Sequence, residues 1–273
     1  MRASLWVFLT LFFAGCATNG DRIDALAAQA HLHRSLVEVG SFKTVTYEQK
    51  TSSANDHPFI VFIEGDGVPW LRGVTPNVDP TTRDPLALKL LIRTNAPGAY
   101  VSRPCYQDVR SKGCTPDLWT NGRYSQQVVD VMVDAVAQVL DRSHAQHAAL
   151  VGFSGGGALA VLVGERVAAV STVITLGANL DTDAWTAYHD YLTLGTSLNP
   201  ARSEHAHTFR EIHLIGRLDS VVPIQTRQAY FARYPAAKEI VLDSYTHACC
   251  WVEEWADVSR RLDAELGVAL LNP

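Results

Sequence analysis

The stretch AALVGFSGGGALAVLVGERV, residues 148–167, decides how the rest of the chain is interpreted. An apolar run typical of a buried strand, 148–153, ends at glycines around Ser154, and a helix-like apolar segment follows. Gly152 and Gly156 flank the serine two residues away on each side. Such a turn is either a flexible loop, a phosphate-binding or packing turn, or a bend so sharp that side chains at the flanks would collide with backbone. The last interpretation holds the Ser154 hydroxyl outward and predicts partner residues elsewhere in the chain.

Strand-like and helix-like segments alternate on both sides of this turn. The predicted strands are 42–49, 59–63, 99–104, 148–153, 170–177, 211–216 and 239–244. The predicted helices are 24–32, 84–93, 125–141 with Ser125 as N-cap, 156–167, 226–234 and 251–266. Alternation of this kind predicts one α/β domain over 35–273, with a mostly parallel central sheet and helices on both faces. The long irregular stretch 180–209 is interpreted as a lid or a pocket insertion.

Composition narrows the functional classes. The chain has 273 residues, of which 47% are hydrophobic, and a formal net charge of −5. It has no basic run, so we expect no nucleic-acid partner.

The amino terminus has the pattern of an export signal. Arg2 precedes an apolar stretch, 5–14, that is too short to span a bilayer, and 1–15 is interpreted as a signal peptide. The sequence FAGC at 13–16 resembles the lipobox of bacterial lipoproteins, although Phe13 replaces the usual leucine. The resemblance implies a lipidated Cys16, a lead segment 16–34 and an outer-membrane lipoprotein that faces the periplasm. Cleavage after Ala17, which would give an unanchored exported protein, is the alternative.

Export would place the other four cysteines in an oxidising compartment. Four cysteines allow three pairings. Cys105 and Cys114 form the nearest plausible loop, and we favour this disulfide because it would stiffen a long segment. Cys249 and Cys250 would then form an adjacent-residue bridge or stay reduced; pairing between the two groups is the other alternative.

Two later strand ends carry partners suited to a serine nucleophile. Asp219 follows the strand 211–216, and His247 follows the strand 239–244. A serine hydroxyl needs a base to take its proton, and the base needs an acid to orient it. A turn aspartate and a surface histidine are the structural alternatives for these two residues.

The G-x-S-x-G pattern at 152–156 and the chain order Ser154, Asp219, His247 resemble the α/β-hydrolase superfamily of serine hydrolases. The resemblance covers most of the mature chain. It implies that Ser154 is the nucleophile, that His247 is the general base and then acid, and that Asp219 orients His247. It also implies an oxyanion hole made by the backbone N–H groups of Asp66 and Gly155, and no cofactor or metal.

The loop that carries Asp66 departs from the family pattern, because IEGDG at 63–67 has Glu64 where histidine is usual. The Glu64 and Asp66 carboxylates either line the mouth, where they would repel anions or attract cations, or cap the turn. Trp70, Trp185 and Tyr188 are further candidates for the pocket wall, with plain packing as the alternative. Arg103 and Arg123 are expected to pair with these carboxylates rather than to contact substrate.

Three kinds of function fit these residues. The leading hypothesis is an envelope-anchored serine hydrolase that cleaves carboxylic esters of a small-molecule or lipid acyl substrate through an acyl-enzyme, with membrane contact through lipidated Cys16. Acyl transfer and peptide hydrolysis would use the same triad. A non-catalytic lipoprotein that binds a ligand or partner is the second class. Cysteine chemistry at Cys249 or Cys250 is the third, since both lie near His247. Metal binding at 205–207 or 181–183 lacks a convincing third ligand.

Overall fold

The computed structural model describes residues 17–49, 57–107, 109, 111–205 and 207–272. The predicted signal peptide and Cys16 lie outside these residues. The strands are β1 (His33–Val39), β2 (Phe42–Glu48), β3 (Phe59–Ile63), β4 (Trp70–Leu71), β5 (Thr75–Pro76), β6 (Gly98–Val101), β7 (Ala148–Phe153), β8 (Val170–Leu176), β9 (Arg210–Gly216) and β10 (Lys238–Leu242). The helices are α1 (Asn19–Gln29), α2 (Leu86–Arg93), α3 (Gln126–Arg142), α4 (Gly155–Gly164), α5 (Thr182–Tyr188), α6 (Gln228–Arg233) and α7 (Trp255–Leu266).

Eight strands form one sheet in the order β1-β2-β6-β3-β7-β8-β9-β10. Six neighbouring strands, β6, β3, β7, β8, β9 and β10, run parallel to one another. At one edge of the sheet β2 pairs antiparallel with β6, and β1 pairs antiparallel with β2. β4 and β5 make a separate small hairpin. The predicted class, an α/β fold with a mostly parallel sheet, is confirmed.

Apolar cores lie on both faces of the sheet. On one face, buried side chains of α3, α4 and α6 pack together, and on the other, those of α1, α2 and α7 do so. Strand β3 is buried along its whole length because it lies between these layers. The sheet therefore places the carboxyl ends of β3, β7, β8 and β9 at one edge, where ligand sites of such sheets form.

Several boundaries differ from the sequence-based predictions. Strand β1 and the β4–β5 hairpin were not predicted, since β1 has one buried side chain, Val37, and the hairpin strands have two residues each. Ile23 and Ala27 of α1 are buried in the core, so the folded part extends before the predicted start at residue 35. The last helix begins at Trp255 rather than at 251, because the chain first makes turns after His247. The described part of 180–209 contains α5, a short 3-10 helix (Pro200–Arg202) and irregular backbone between them.

Candidate active site

Ser154 occupies a sharp turn between β7 and α4. Its backbone has φ 53° and ψ −123°, a conformation that is strained for a residue with a side chain. A Cβ atom at Gly152 would collide with the backbone of Gly156 and Gly157, and one at Gly156 would collide with the carbonyl oxygen of Ile63. The glycines are therefore required by close backbone approach, as the third interpretation of the turn expects.

The loops after β9 and β10 bring the two predicted partners to this serine. His247 Nε2 lies 3.0 Å from Ser154 Oγ, and His247 Nδ1 lies 2.8 Å from Asp219 Oδ2. Asp219 is buried, and its Oδ1 accepts hydrogen bonds from the N–H groups of Val221 and Val222 at 2.9 and 2.8 Å. With Asp219 accepting the Nδ1–H, Nε2 is the nitrogen that can accept the serine proton.

A second set of contacts fixes the imidazole. The His247 ring packs on Phe153 with centroids 5.0 Å apart, and the His247 carbonyl oxygen accepts the indole N–H of Trp251 at 2.8 Å. The ring is therefore held both by the carboxylate of Asp219 and by apolar packing next to the nucleophile turn.

A cavity of about 300 Å³ opens at these residues. Its lining includes Glu64, Gly65, Asp66, Gly67, Pro69, Thr82, Arg123, Phe153, Ser154, Gly155, Asn179, Trp185, Val221, Val222 and His247. Two larger cavities, of about 470 and 510 Å³, lie elsewhere and do not include Ser154, Asp219 or His247. We assign the candidate site to the smaller cavity because, of these three cavities, it is the one lined by both Ser154 and His247.

The Asp66 carboxylate is bound by a cluster of buried side chains. It pairs with Arg103 and with Arg123, the latter at 2.9 Å, and Tyr124 donates its hydroxyl at 2.7 Å. The side chains of Arg103 and Arg123 are only 1% and 6% exposed. Burial by itself would raise the pKa of Asp66, but the charges of Arg123 and Arg103 outweigh it and hold that pKa at about 2. The carboxylate is therefore ionised and paired, and does not line the mouth as an unpaired charge.

The same cluster contacts the backbone of Asp66 and Gly155, whose N–H groups are the predicted oxyanion donors. Tyr106 donates its hydroxyl to the Asp66 carbonyl oxygen at 3.0 Å, so the Asp66 peptide is held on two sides. A Cβ atom at Gly155 would collide with the Asp66 carboxylate and the Tyr124 hydroxyl. Among the described residues, no acceptor is bound to the Asp66 N–H. The helix α4 that begins at Gly155 also directs its positive end toward this side of Ser154.

Glu64 lines the cavity and also accepts hydrogen bonds from its own turn and from the start of α2, so both alternatives for its role hold in part. It is buried, and its carboxylate accepts hydrogen bonds from the N–H groups of Gly65 at 3.1 Å and Ala87 at 3.0 Å. Ala87 lies in the first turn of α2, whose N-cap is Pro85 with no side-chain cap. Burial raises the pKa of Glu64 to about 8, although the backbone donors lower it. The Glu64 side chain therefore links its own loop to the first turn of α2.

Of the other residues predicted to line the pocket, one does so and two do not. Trp185 lines the cavity and donates its indole N–H to the Val221 carbonyl oxygen at 2.7 Å. Trp70 lies in the β4–β5 hairpin and does not line this cavity, and Tyr188 is 56% exposed at the surface.

Two disulfides are present, Cys105–Cys114 and Cys249–Cys250. The Cys105 and Cys114 sulfurs lie 2.05 Å apart with Cα atoms at 5.7 Å, as favoured from the sequence. This disulfide closes the segment that follows Arg103. Cys249 and Cys250 form the adjacent-residue bridge, one of the two alternatives for this pair.

Some residues of the site were not singled out from the sequence. Phe153 and Asn179 line the cavity, and the Oδ1 of Asn179 is buried and accepts no hydrogen bond from any described residue. Tyr106 and Tyr124 were missed as partners of Asp66. For Asn179 a signal existed, because it follows the carboxyl end of β8, whereas the tyrosines lie in segments without a recognisable pattern.

Comparison with solved structures identifies the fold. An esterase from Pyrococcus furiosus superposes with a TM-score of 0.63 at 14% identity, over 89% of this chain and 93% of that one. A bacterial membrane phospholipase A gives 0.55 at 13% identity, over 90% and 92%. A proline iminopeptidase-related protein from Thermus thermophilus gives 0.57 at 13% identity, over 88% and 98%. The fold is that of the α/β hydrolases.

The chain has no match by sequence among known families or curated proteins. Within the described residues, no helix combines the length and apolar character needed to cross a bilayer. The same residues hold no group of three or more His, Cys, Asp or Glu side chains arranged to bind a metal ion.

Proposed function

We propose that this chain is a serine hydrolase that cleaves carboxylic esters through an acyl-enzyme. The observation that carries the proposal is the line of contacts Ser154 Oγ–His247 Nε2 and His247 Nδ1–Asp219 Oδ2, at 3.0 and 2.8 Å, at the edge of a cavity. The esterase and phospholipase among the structural neighbours support this reaction class at the level of the fold.

The reaction then follows from the positions of these groups. Ser154 Oγ attacks the ester carbonyl carbon while His247 Nε2 takes the hydroxyl proton, and the carbonyl oxygen becomes an oxyanion. The N–H groups of Asp66 and Gly155 donate to that oxygen. Collapse breaks the bond to the alcohol, which leaves with the proton from His247. Water, deprotonated by the same nitrogen, then attacks the acyl-enzyme, and the carboxylic acid departs as Ser154 recovers its proton.

Export and anchoring are part of the same proposal. Lipidation of Cys16 would hold the domain at the bacterial envelope, most simply at the outer membrane facing the periplasm. Metabolic labelling with an alkyne fatty acid tests this, with Cys16→Ser as the control that should lose the label. Label that persists in Cys16→Ser would contradict the anchor.

A fluorophosphonate probe tests the nucleophile. Covalent labelling is expected in the unaltered chain, absent in Ser154→Ala, and strongly reduced in His247→Ala, because the serine is a poor nucleophile without its base. Ser220→Ala is the matched control, since Ser220 is exposed and next to Asp219 but outside the contacts described above. A folded protein that hydrolyses no short ester and takes no label would instead indicate the ligand-binding alternative.

A further inference from the structure

Most of the exposed large apolar side chains among the described residues belong to segments that also contribute residues to the wall of the candidate site. Ten large apolar side chains are exposed among the described residues. Only Leu36 on β1 and Val268 after α7 lie away from the segments that line the cavity. The other eight belong to two segments that adjoin the cavity-lining residues Pro69 and Trp185 and to the turn that carries Asp219, and together they are called the mouth patch.

The first side is the segment that contains the β4–β5 hairpin. Pro69 lines the cavity, and Leu71, Val74 and Val78 follow it with exposures of 40%, 77% and 70%. The Pro69 carbonyl oxygen accepts the N–H of Asn77 at 2.9 Å, so this segment folds back beside the cavity wall.

The second side is the end of α5 together with the turn that carries Asp219. Tyr188, Tyr191 and Leu192 are 56%, 57% and 86% exposed, and Tyr191 packs edge-on against the cavity residue Trp185 at 5.4 Å. Leu218 and Val221 flank Asp219 itself and are 59% and 46% exposed.

The first described residues of the chain lie on the same side of the molecule. Asn19 donates its side-chain N–H to the Thr81 carbonyl oxygen at 3.2 Å, and the next residue, Thr82, lines the cavity. Since consecutive Cα atoms are about 3.8 Å apart, the first described residue, Ala17, lies within about 8 Å of Asn19. A lipid on Cys16 would therefore hold the cavity mouth toward the membrane.

We infer that the mouth patch docks on a phospholipid bilayer and that the substrates are acyl esters held in that bilayer. Exposed apolar patches of this kind mark interaction surfaces. A protein partner or a second copy seated here would cover the entrance to Ser154, whereas a lipid surface would present esters to it. This inference rests on the proposed function for the substrate, but the docking itself does not require catalysis.

Vesicle co-sedimentation tests the docking, with chains that begin at Ala17 so that no lipid anchor contributes. Phosphatidylcholine vesicles are the probe, because the chain carries a net charge of −5 and a neutral surface excludes electrostatic attraction. The paired change Val74→Asn with Leu192→Asn is expected to weaken vesicle partitioning about tenfold or more, since both side chains would lose apolar burial. The matched control pair, Leu36→Asn with Val268→Asn, should leave it unaltered.

The outcomes separate this inference from the proposed function. Hydrolysis of a short water-soluble ester reports on the triad alone, and a chain that hydrolyses it without binding vesicles would overturn only the docking. An equal loss of vesicle partitioning in the control pair would also overturn the docking. So would light scattering that shows a dimer which the paired change Val74→Asn with Leu192→Asn dissociates. Docking gains support if the paired change lowers hydrolysis of a vesicle-borne ester more than that of the soluble ester.

Discussion

Replacing Asp66 by asparagine is expected to destabilise the protein strongly while keeping the backbone N–H proposed for the oxyanion hole. The change preserves side-chain shape but removes the carboxylate that pairs with Arg103 and Arg123, whose side chains are 1% and 6% exposed. Breaking a buried ion pair from one side costs about 3–5 kcal/mol, because the remaining charge stays buried without compensation. For a domain of this size that corresponds to a fall in Tm of roughly 6–20 °C.

The destabilisation should also depend on pH in a defined direction. The pKa of Asp66 is held at about 2, below the ordinary value near 4, so its pairing contributes fully above about pH 4. That contribution is lost as the pH falls from about 4 toward 2, and it amounts to roughly 2–3 kcal/mol. The difference in stability between the unaltered chain and Asp66→Asn should therefore shrink over this interval.

Urea unfolding from pH 7 to pH 3, followed by tryptophan fluorescence, measures both effects. Asp243→Asn is the matched control, because Asp243 also pairs with an arginine, Arg217, but is 82% exposed. An exposed pair of this kind contributes less than about 1 kcal/mol. The reasoning fails if Asp66→Asn costs no more than Asp243→Asn, or if its cost is the same at pH 3 as at pH 7.

Three further predictions concern the same region. Gly155→Ala should lower both stability and fluorophosphonate labelling, since a Cβ there collides with the Asp66 carboxylate. Thermal melts followed by circular dichroism measure the stability and labelling rates measure the reactivity; unchanged values of both would contradict the prediction. Burial raises the pKa of Glu64 to about 8, so its proton stabilises the fold below about pH 4 and this benefit is lost as the pH rises toward 8. The stability of Glu64→Gln relative to the unaltered chain should accordingly increase between pH 5 and 8 in urea titrations, and a constant difference would refute the assignment. Replacing Cys105 and Cys114 together by serine should cost about 2–3 kcal/mol from the loss of a short closed loop, measured by thermal unfolding; a negligible change would show that the disulfide does not constrain this segment.

Much of the fold was predictable because its signals are local. Continuous apolar runs of five or six residues predicted the buried parallel strands β3 and β7 within a residue of their ends. Strand β1 escaped because six of its seven side chains are not buried, so it carries no clear apolar pattern. An edge strand of this kind is defined by its pairing with β2, which the sequence does not display.

The candidate site likewise has features that local sequence predicted and features that it left open. The glycines around Ser154, and the placement of Asp219 and His247 after later strands, follow from the chain itself, because parallel strands must end at one edge of a sheet. The roles of the two acidic residues at 64 and 66 were open from the sequence, which allowed either a charged mouth or a capped turn.

Sequence alone therefore predicted the sharp turn at Ser154, the placement of Asp219 and His247 after later strands, and the mostly parallel sheet, since each depends on local spacing or on strand order. The sequence predicted that Arg103 and Arg123 pair with Glu64 or Asp66, and only the tertiary structure decided that both pair with Asp66, which lies 37 and 57 residues away. It also decided that Pro69, Trp185 and Val221, from separate segments, line the same cavity. Such contacts depend on how distant segments pack against one another, and no local pattern of residue types specifies that arrangement.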